Sequence, residues 1–236
     1  MKEPTIWEIP LPEVTLDDLF QAEGADYLKS PPRPGMVGLR HQILEEAAAL
    51  ICPIAIWREV GISGTGGQEL FLEGGQKLTS RLLVKVAGTA DKLMFFAVTI
   101  GKDLEDRVDY YKKTGKIFQA FVLDAAGSAF VAKSSMSAVG KIEEVCRHSG
   151  REITFPLGPG HSYWTSLEDM QTIVHFLQAD KIGLHLTDSN IIIPRKSIAM
   201  VTGVGQNLPD MKGKTHCDFC DRQKNCNMNK FGSKRC

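Results

Sequence analysis

Apolar residues recur at helical spacing in three parts of the sequence. Segment 39–51 repeats them every three or four positions and stops at Cys52-Pro53, which predicts an amphipathic helix. Residues 104–148 keep the same period, with Gly115 and Gly140 as the expected breaks. A third helix is predicted after Ser166, because Ser166 and Asp169 have the spacing of an N-terminal capping box.

Strand patterns separate these helices. The segments "IAIWREV" and "ELFLEG" read as strands, and the unbroken apolar run "KLMFFAVTIG" predicts a strand covered on both faces. Between them, "KLTSRLLVKVAG" has helical spacing and ends at a glycine. The segment "KIGLHLTDSNIIIPRKSIAMVTGVG" predicts two or three strands, which we expect to be antiparallel because their connections are too short for a crossover.

The distribution of proline and cysteine predicts three parts of the chain. Residues 1–38 are rich in proline and read as an extended arm with one short helix near "TLDDLFQA". Residues 39–206 form the predicted globular domain, and residues 207–236 form a linker followed by a cysteine-rich tail.

Composition and charge exclude some classes of function. The 236 residues are 43% hydrophobic and 24% charged, an ordinary globular composition. The 28 basic side chains equal the 28 acidic ones, so no overall charge favours nucleic acid or a membrane surface. No stretch approaches the roughly 20 apolar residues of a membrane span, and the N-terminus lacks a secretory pattern. We therefore expect a cytoplasmic protein.

The stretch "FPLGPGHSYW" combines a rigid turn with ring side chains. Glycines let main-chain N–H groups approach a ligand, prolines fix φ, and the rings offer stacking faces and donors. The candidate binding residues are Gly158, Pro159, Gly160, His161, Tyr163 and Trp164. The alternative is that the turn ends a strand and that its aromatic residues belong to the core.

Four cysteines are concentrated in the last 20 residues as Cys-x2-Cys-x5-Cys-x9-Cys: Cys217, Cys220, Cys226 and Cys236. A Cys-x2-Cys turn places two thiolates on one metal, and two further cysteines complete a four-ligand site for zinc or an iron–sulfur cluster. The alternatives are free or disulfide-paired thiols. A zinc knuckle with basic neighbours would suggest nucleic-acid contact, but the tail has few aromatic residues for base stacking, so we expect no nucleic-acid partner.

A segment of small residues, "LDAAGSAF", lies inside the longest predicted helix. Its alanines and Gly127 allow another backbone to approach closely. Asp124 stands among apolar neighbours, so we expect a buried carboxylate that bonds to a nearby main chain or to Ser128.

The order of these segments resembles a known family. "AVTIG", "LDAAGSAF", the Pro-Gly turn before an amphipathic helix, and the final strand-rich segment follow one another as in the activation (reactivation) domain of cobalamin-dependent methionine synthase. The resemblance covers roughly residues 40–206 and points to stand-alone relatives of that domain. It implies an α+β fold: a C-shaped single domain with a twisted antiparallel sheet and flanking helices, here followed by the cysteine-rich tail.

The resemblance also implies a function. Members of the family bind S-adenosylmethionine and dock on a corrinoid protein, where cobalt that has been oxidised to Co(II) is reduced and remethylated. The expected partners are therefore a corrinoid-binding methyltransferase and an electron donor such as flavodoxin or ferredoxin, with cobalamin present through the partner alone. This electron-transfer role favours an iron–sulfur cluster over zinc in the tail. The chemistry takes place on the partner's cobalt, so no catalytic residue is assigned and whether this chain is an enzyme stays open.

The sequence departs from the family at the ligand-binding motif R-x-x-x-G-Y. Pro156 occupies the arginine position and His161 the tyrosine position, while the turn itself is retained. Losing a guanidinium contact to a carboxylate would cost about 1.5–3 kcal/mol of binding unless another group replaces it. Arg151 is a substitute only if the loop differs. The second hypothesis is accordingly a non-catalytic module that binds a corrinoid protein, or acts as its chaperone, without S-adenosylmethionine.

Overall fold

A computed structural model describes residues 3–24, 32–211 and 213–220. These ranges contain nine strands and six α-helices. The strands are β1 Thr5–Glu8, β2 Ile54–Gly66, β3 Glu69–Leu72, β4 Lys77–Thr79, β5 Lys92–Thr99, β6 Glu152–Ile153, β7 His185–Leu186, β8 Ile192–Ile193 and β9 Ser197–Gly205. The helices are α1 Leu16–Glu23, α2 Pro34–Leu50, α3 Arg81–Ala87, α4 Asp103–Lys113, α5 Ile117–His148 and α6 Asp169–Leu177. Short 3-10 helices follow at Ala179–Ile182 and His216–Phe219.

One antiparallel sheet forms the centre of the molecule. Its strand order is β4-β3-β2-β5-β9-β6, and β1 pairs with the first half of β2. Strands β7 and β8 form a separate antiparallel ribbon. The large sheet curls into a half-barrel, so the chain is a mixed helix-and-strand domain, and the predicted antiparallel fold class is confirmed.

Helices cover both faces of the sheet, as the apolar run at β5 predicts. On one face, fully buried Phe95 packs against Phe176 of α6, with ring centroids 5.4 Å apart. On the other face, fully buried Phe96 lies in a cluster with Ala138 and Ile142 of α5. Helices α1, α2 and α4 pack on α5. No helix within the described ranges is long and apolar enough to cross a bilayer.

Two predictions about helix bounds need correction. Helix α5 runs unbroken for 32 residues through Gly140, because a single glycine costs only about 1 kcal/mol and tertiary packing on both sides of it outweighs that cost. The break at Gly115 is confirmed. The segment "KLTSRLLVKVAG" begins as β4, and its helix starts after Ser80, whose hydroxyl accepts the N–H of Leu83.

Asp124 is not a buried carboxylate. Its side chain is 45% exposed and pairs with Lys196, with 3.0 Å between Oδ2 and Nζ. Lys196 also donates to the hydroxyl of Ser128 at 2.9 Å. The small residue Gly127 does permit close packing, since a Cβ there would lie 2.7 Å from Leu104. The segment therefore joins α5 to α4 and to the start of β9.

Candidate functional site

The Pro-Gly turn, residues 158–164, is closed by its own main chain. The N–H of Gly160 donates to the carbonyl of Trp164, and the N–H of Trp164 donates to the carbonyl of His161, both at 2.8 Å. Gly160 has φ +89°, in the region that favours glycine, and a Cβ would also come within 3.0 Å of Leu167. The turn is therefore a fixed structure with a site-specific need for glycine.

Strand β9 anchors the start of this turn. Leu157 forms a bridge with Val201, and the two residues exchange main-chain hydrogen bonds of 2.9 and 2.8 Å. A Cβ on Gly158 would lie 3.0 Å from the carbonyl oxygen of Ala199. Gly158 and Pro159 are buried, so the absence of a side chain on Gly158 and the rigid ring of Pro159 suit close packing beside β9.

The end of the turn is anchored by Asp169. Trp164 is 2% exposed, and its indole N–H donates to the Asp169 carboxylate at 2.8 Å. The same carboxylate accepts the main-chain N–H of Thr79 at 2.9 Å. The predicted capping box is therefore wrong in detail: Ser166 accepts the N–H of Glu168, while Asp169 joins the turn to β4. Trp164 belongs to the core, which is the alternative that its sequence left open.

His161 and Tyr163 present a stacked pair of rings. Their centroids lie 5.2 Å apart and their planes differ by 3°. The Tyr163 hydroxyl is buried and has no hydrogen-bond partner among the described residues. The Gly158 main chain approaches this oxygen without meeting the geometry of a hydrogen bond. A buried hydroxyl without a partner is costly, so the Tyr163 hydroxyl is a candidate to bond a ligand or an ordered water.

The start of the cysteine tail folds back onto the turn. His216 lies against both rings, 5.9 Å from the His161 centroid and 6.0 Å from that of Tyr163. Phe219 stacks on Phe155 with centroids 5.9 Å apart. Lys85 of α3 places its ammonium 5.1 Å from the centre of the Phe219 ring. The tail helix, His216–Phe219, is thereby held beside the turn.

This contact brings the predicted ligand-binding and metal-binding residues together. The hydroxyl of Ser162 donates to the sulfur of Cys220 at 3.2 Å. Cys217 and Cys220 are partly exposed, and the N–H of Cys220 donates to the carbonyl of Cys217 at 3.2 Å. A hydroxyl that donates to sulfur stabilises a thiolate, so these two residues fit half of a metal site.

The other half of the predicted metal site lies outside the described residues, at Cys226 and Cys236. Within residues 3–24, 32–211 and 213–220, no three side chains of His, Cys, Asp or Glu are arranged to hold a metal ion. Cys52 and Cys146, the remaining cysteines, are free thiols away from the tail. The four-cysteine site stays a prediction.

Burial controls the electrostatics of the site. It lowers the pKa of His161, and it lowers the pKa of His216, where the nearby His161 adds to the effect. Burial also raises the pKa of Tyr163, and the Cys217 and Cys220 thiols contribute in the same direction. At neutral pH the three rings are therefore uncharged, as suits a stacking surface for a planar ligand.

Arg151 does not take the place of the missing family arginine. Its guanidinium pairs with Glu59 of β2 at 2.7 Å and donates from Nε to the Ser149 hydroxyl at 2.9 Å. Pro156 lies between Phe155 and the bridge at Leu157, so it continues the edge of the sheet. The nearest cation identified at the tail contact is instead Lys85.

Sequence reasoning missed His216, Phe219 and Lys85. The signal that could have found the first two is the "HCDF" segment, which places aromatic rings on each side of Cys217 and next to Cys220. No sequence pattern connects Lys85 with a tail more than 130 residues away, because only the folded sheet brings α3 to the turn.

Comparisons with known proteins support the fold. No family model matches the sequence, and no curated protein matches it. Among solved structures, the chain is similar to a crystal structure of the MetH reactivation domain bound to AdoHcy, with a TM-score of 0.64 and 13% identity. The match covers 89% of this chain and 79% of the other. At this identity the likeness shows a shared fold: the chain has the architecture of a methionine synthase reactivation domain.

Proposed function

We propose that this protein is an accessory reactivation subunit for a corrinoid-dependent methyltransferase such as methionine synthase. It would bind S-adenosylmethionine at the Pro-Gly turn and dock on the corrinoid protein through the surface that carries residues 155–164. The observation that carries the proposal is the shared fold with a domain whose crystal structure holds AdoHcy, the demethylated form of that methyl donor.

The local geometry supports a ligand at this turn. The stacked rings of His161 and Tyr163 offer an uncharged aromatic surface, and the buried Tyr163 hydroxyl lacks a partner. His216 extends the surface from the tail side. A planar base would stack on these rings, and a polar group of the ligand would bond to the phenol.

The reaction that such a subunit supports is a reductive methylation at the partner's cobalt. A donor such as flavodoxin or ferredoxin would supply one electron to the partner's corrinoid, and S-adenosylmethionine would supply the methyl group and leave as AdoHcy. In this proposal the protein contributes binding and orientation, and cobalamin belongs to the partner.

A metal in the tail would lie beside the ligand. Cys217 and Cys220 are held next to the turn by the Ser162 hydrogen bond, and Cys226 and Cys236 would supply the remaining ligands. An iron–sulfur cluster at this position would relay the electron toward the corrinoid, whereas zinc would fix the tail in place. Metal content separates these two roles.

The test of the proposal is a calorimetric titration of S-adenosylmethionine into wild type and Tyr163→Phe. Wild type should bind, and the variant should bind about three- to tenfold more weakly, because one hydrogen bond to the ligand is lost. The free energy of unfolding should stay level or rise by up to about 1 kcal/mol, since a buried hydroxyl without a partner is removed. Tyr110→Phe, at a tyrosine that is 53% exposed, is the matched control and should bind as wild type does.

A second candidate function is a corrinoid-protein binding or chaperone module that no longer uses S-adenosylmethionine. Two observations favour this second candidate: Pro156 stands at the family arginine position, and Arg151 is held in an ion pair with Glu59. Absence of binding in the titration, combined with retained affinity for the corrinoid protein, would select this candidate.

A further inference from the structure

A buried arginine lies at the opposite end of α6 from the Pro-Gly turn. Arg58 of β2 is 7% exposed, and its Nη1 donates to the carbonyl of Phe176 at 2.9 Å, in the last turn of α6. Its Nε is buried and has no partner in the part of the chain that the structure describes. Among those residues, no carboxylate forms an ion pair with this guanidinium, and the exposed Glu3 interacts with its charge from a distance.

An uncompensated buried charge is unfavourable. Removing a cation from water costs several kcal/mol unless it is paired and its donors are bonded. The carbonyl end of α6 supplies a partial negative charge, which offsets part of this cost. The side of the guanidinium that carries Nε remains unsatisfied, and that side is the edge that binds a carboxylate or phosphate through two parallel hydrogen bonds.

Arg58 also lines a cleft of about 540 Å³. This volume is in the range of small-molecule sites. The Arg58 cleft has an apolar wall from Val174, Leu184 and Leu186, and its polar lining includes Gln178 and His185. The cleft therefore combines a buried cation, apolar surface and hydrogen-bonding side chains.

Two exposed carboxylates lie near the cleft, and neither forms a direct ion pair with Arg58. Asp180 is part of the lining and is exposed. Glu3 pairs with Lys181 at 2.6 Å and is 78% exposed. Both carboxylates face solvent, so they repel an anionic ligand that approaches Arg58.

We propose that the Arg58 cleft is a binding site for a small organic anion. A carboxylate or phosphate group would face the guanidinium, and an apolar body would pack on Val174, Leu184 and Leu186. The site is separate from the Pro-Gly turn, because none of residues 158–164 lines the cleft.

The experiment measures the thermal stability of the protein with three probes: benzoate, its neutral isostere benzamide, and inorganic phosphate. Benzoate should raise Tm by about 3–6 °C at ten times its Kd, because a ligand that binds only the folded state stabilises it. Benzamide should give no comparable rise, since it lacks the charge. A phosphate response without a benzoate response, or equal responses to benzoate and benzamide, would overturn the proposal.

Three variants locate the response. Arg58→Met should abolish the benzoate effect, whereas Arg147→Met, at an exposed arginine on α5, should retain it. Asp180→Asn keeps the shape of an exposed side chain and should tighten benzoate binding about threefold or more, because a repulsive charge is removed. The Asp180→Asn variant tests the proposal even if Arg58→Met does not fold. A benzoate response that survives Arg58→Met, or one that Asp180→Asn leaves unchanged or weakens, would contradict the assignment.

The benzoate experiment tests the Arg58 cleft independently of the proposed function. Tyr163→Phe should keep the full benzoate response, because Tyr163 belongs to the turn before α6. Absence of S-adenosylmethionine binding by wild type, together with an intact benzoate response, would contradict the proposed function and leave the Arg58 cleft supported. S-adenosylmethionine binding by wild type without any benzoate response would support the proposed function and contradict the Arg58 cleft.

Discussion

At the scale of single residues, Asp169 controls the position of the Pro-Gly turn. Its carboxylate accepts the indole N–H of Trp164 and the main-chain N–H of Thr79. One side chain thus connects the turn, the first residue of α6 and strand β4. The rings of His161 and Tyr163 depend on this connection, because Trp164 closes the same turn.

Asp169→Ala should therefore lower the free energy of unfolding by about 2–3 kcal/mol. The substitution leaves the buried Trp164 N–H and the Thr79 N–H without their acceptor. Urea unfolding at neutral pH measures the change. Glu168→Ala, the adjacent exposed carboxylate, is the control, and an equal loss in both variants would show that the Trp164 contact contributes nothing.

At the scale of elements, Glu59 joins three strands of the sheet. It lies on β2, pairs with Lys92 of β5 at 3.0 Å, and pairs with Arg151 just before β6 at 2.7 Å. Burial alone would raise the pKa of Glu59, but the hydrogen bonds and charges of Lys92 and Arg151 hold it below its ordinary value of 4.5.

The lowered pKa predicts a pH-dependent contribution to stability. It is fully present above pH 4.5 and is lost as the pH falls through the lower pKa of the folded state. Glu59→Gln should cost about 1 kcal/mol at pH 7, and the difference from wild type should shrink toward zero at strongly acidic pH. Denaturant titrations at several pH values measure it, with Glu45→Gln on the exposed side of α2 as control. A constant difference at every pH would show that charge is not its source.

Some helices and strands of this fold can be predicted from the sequence, and others cannot. The apolar run at β5 predicts a strand covered on both faces, because burial leaves a direct record in composition. The continuity of α5 through Gly140 could not be predicted, since packing of distant helices decides it. The start of α6 differs from its prediction for a similar reason: Asp169 has capping-box spacing, yet its partners are Trp164 and Thr79 of β4.

At the scale of the whole molecule, the tail contact joins the two candidate sites. The sequence predicts the Pro-Gly turn and the cysteine tail as separate features, since 52 residues lie between Trp164 and Cys217. The fold places them together through His216, Phe219 and the Ser162 hydrogen bond to Cys220. Short sequence patterns do not indicate contacts between residues far apart in the chain, so the combined site could not be predicted.

Cys220→Ser should remove the metal from the anaerobically purified protein. Cys220 is expected to be one of four ligands, and an alcohol does not replace a thiolate in a zinc or cluster site. Elemental analysis and the visible absorption spectrum measure metal content and distinguish a cluster from zinc. Cys52→Ser, at an exposed free cysteine, is the control. Equal metal content in both variants would contradict a site in the tail.

We propose that the ligand site lies where the Pro-Gly turn meets the tail. Nuclear magnetic resonance of the isotopically labelled protein, titrated with AdoHcy, is the decisive test. We predict that the largest amide shifts fall in residues 158–164 and 216–220, with small changes around Arg58 at the other end of α6. Absence of shifts, or shifts confined to the Arg58 cleft, would contradict the claim.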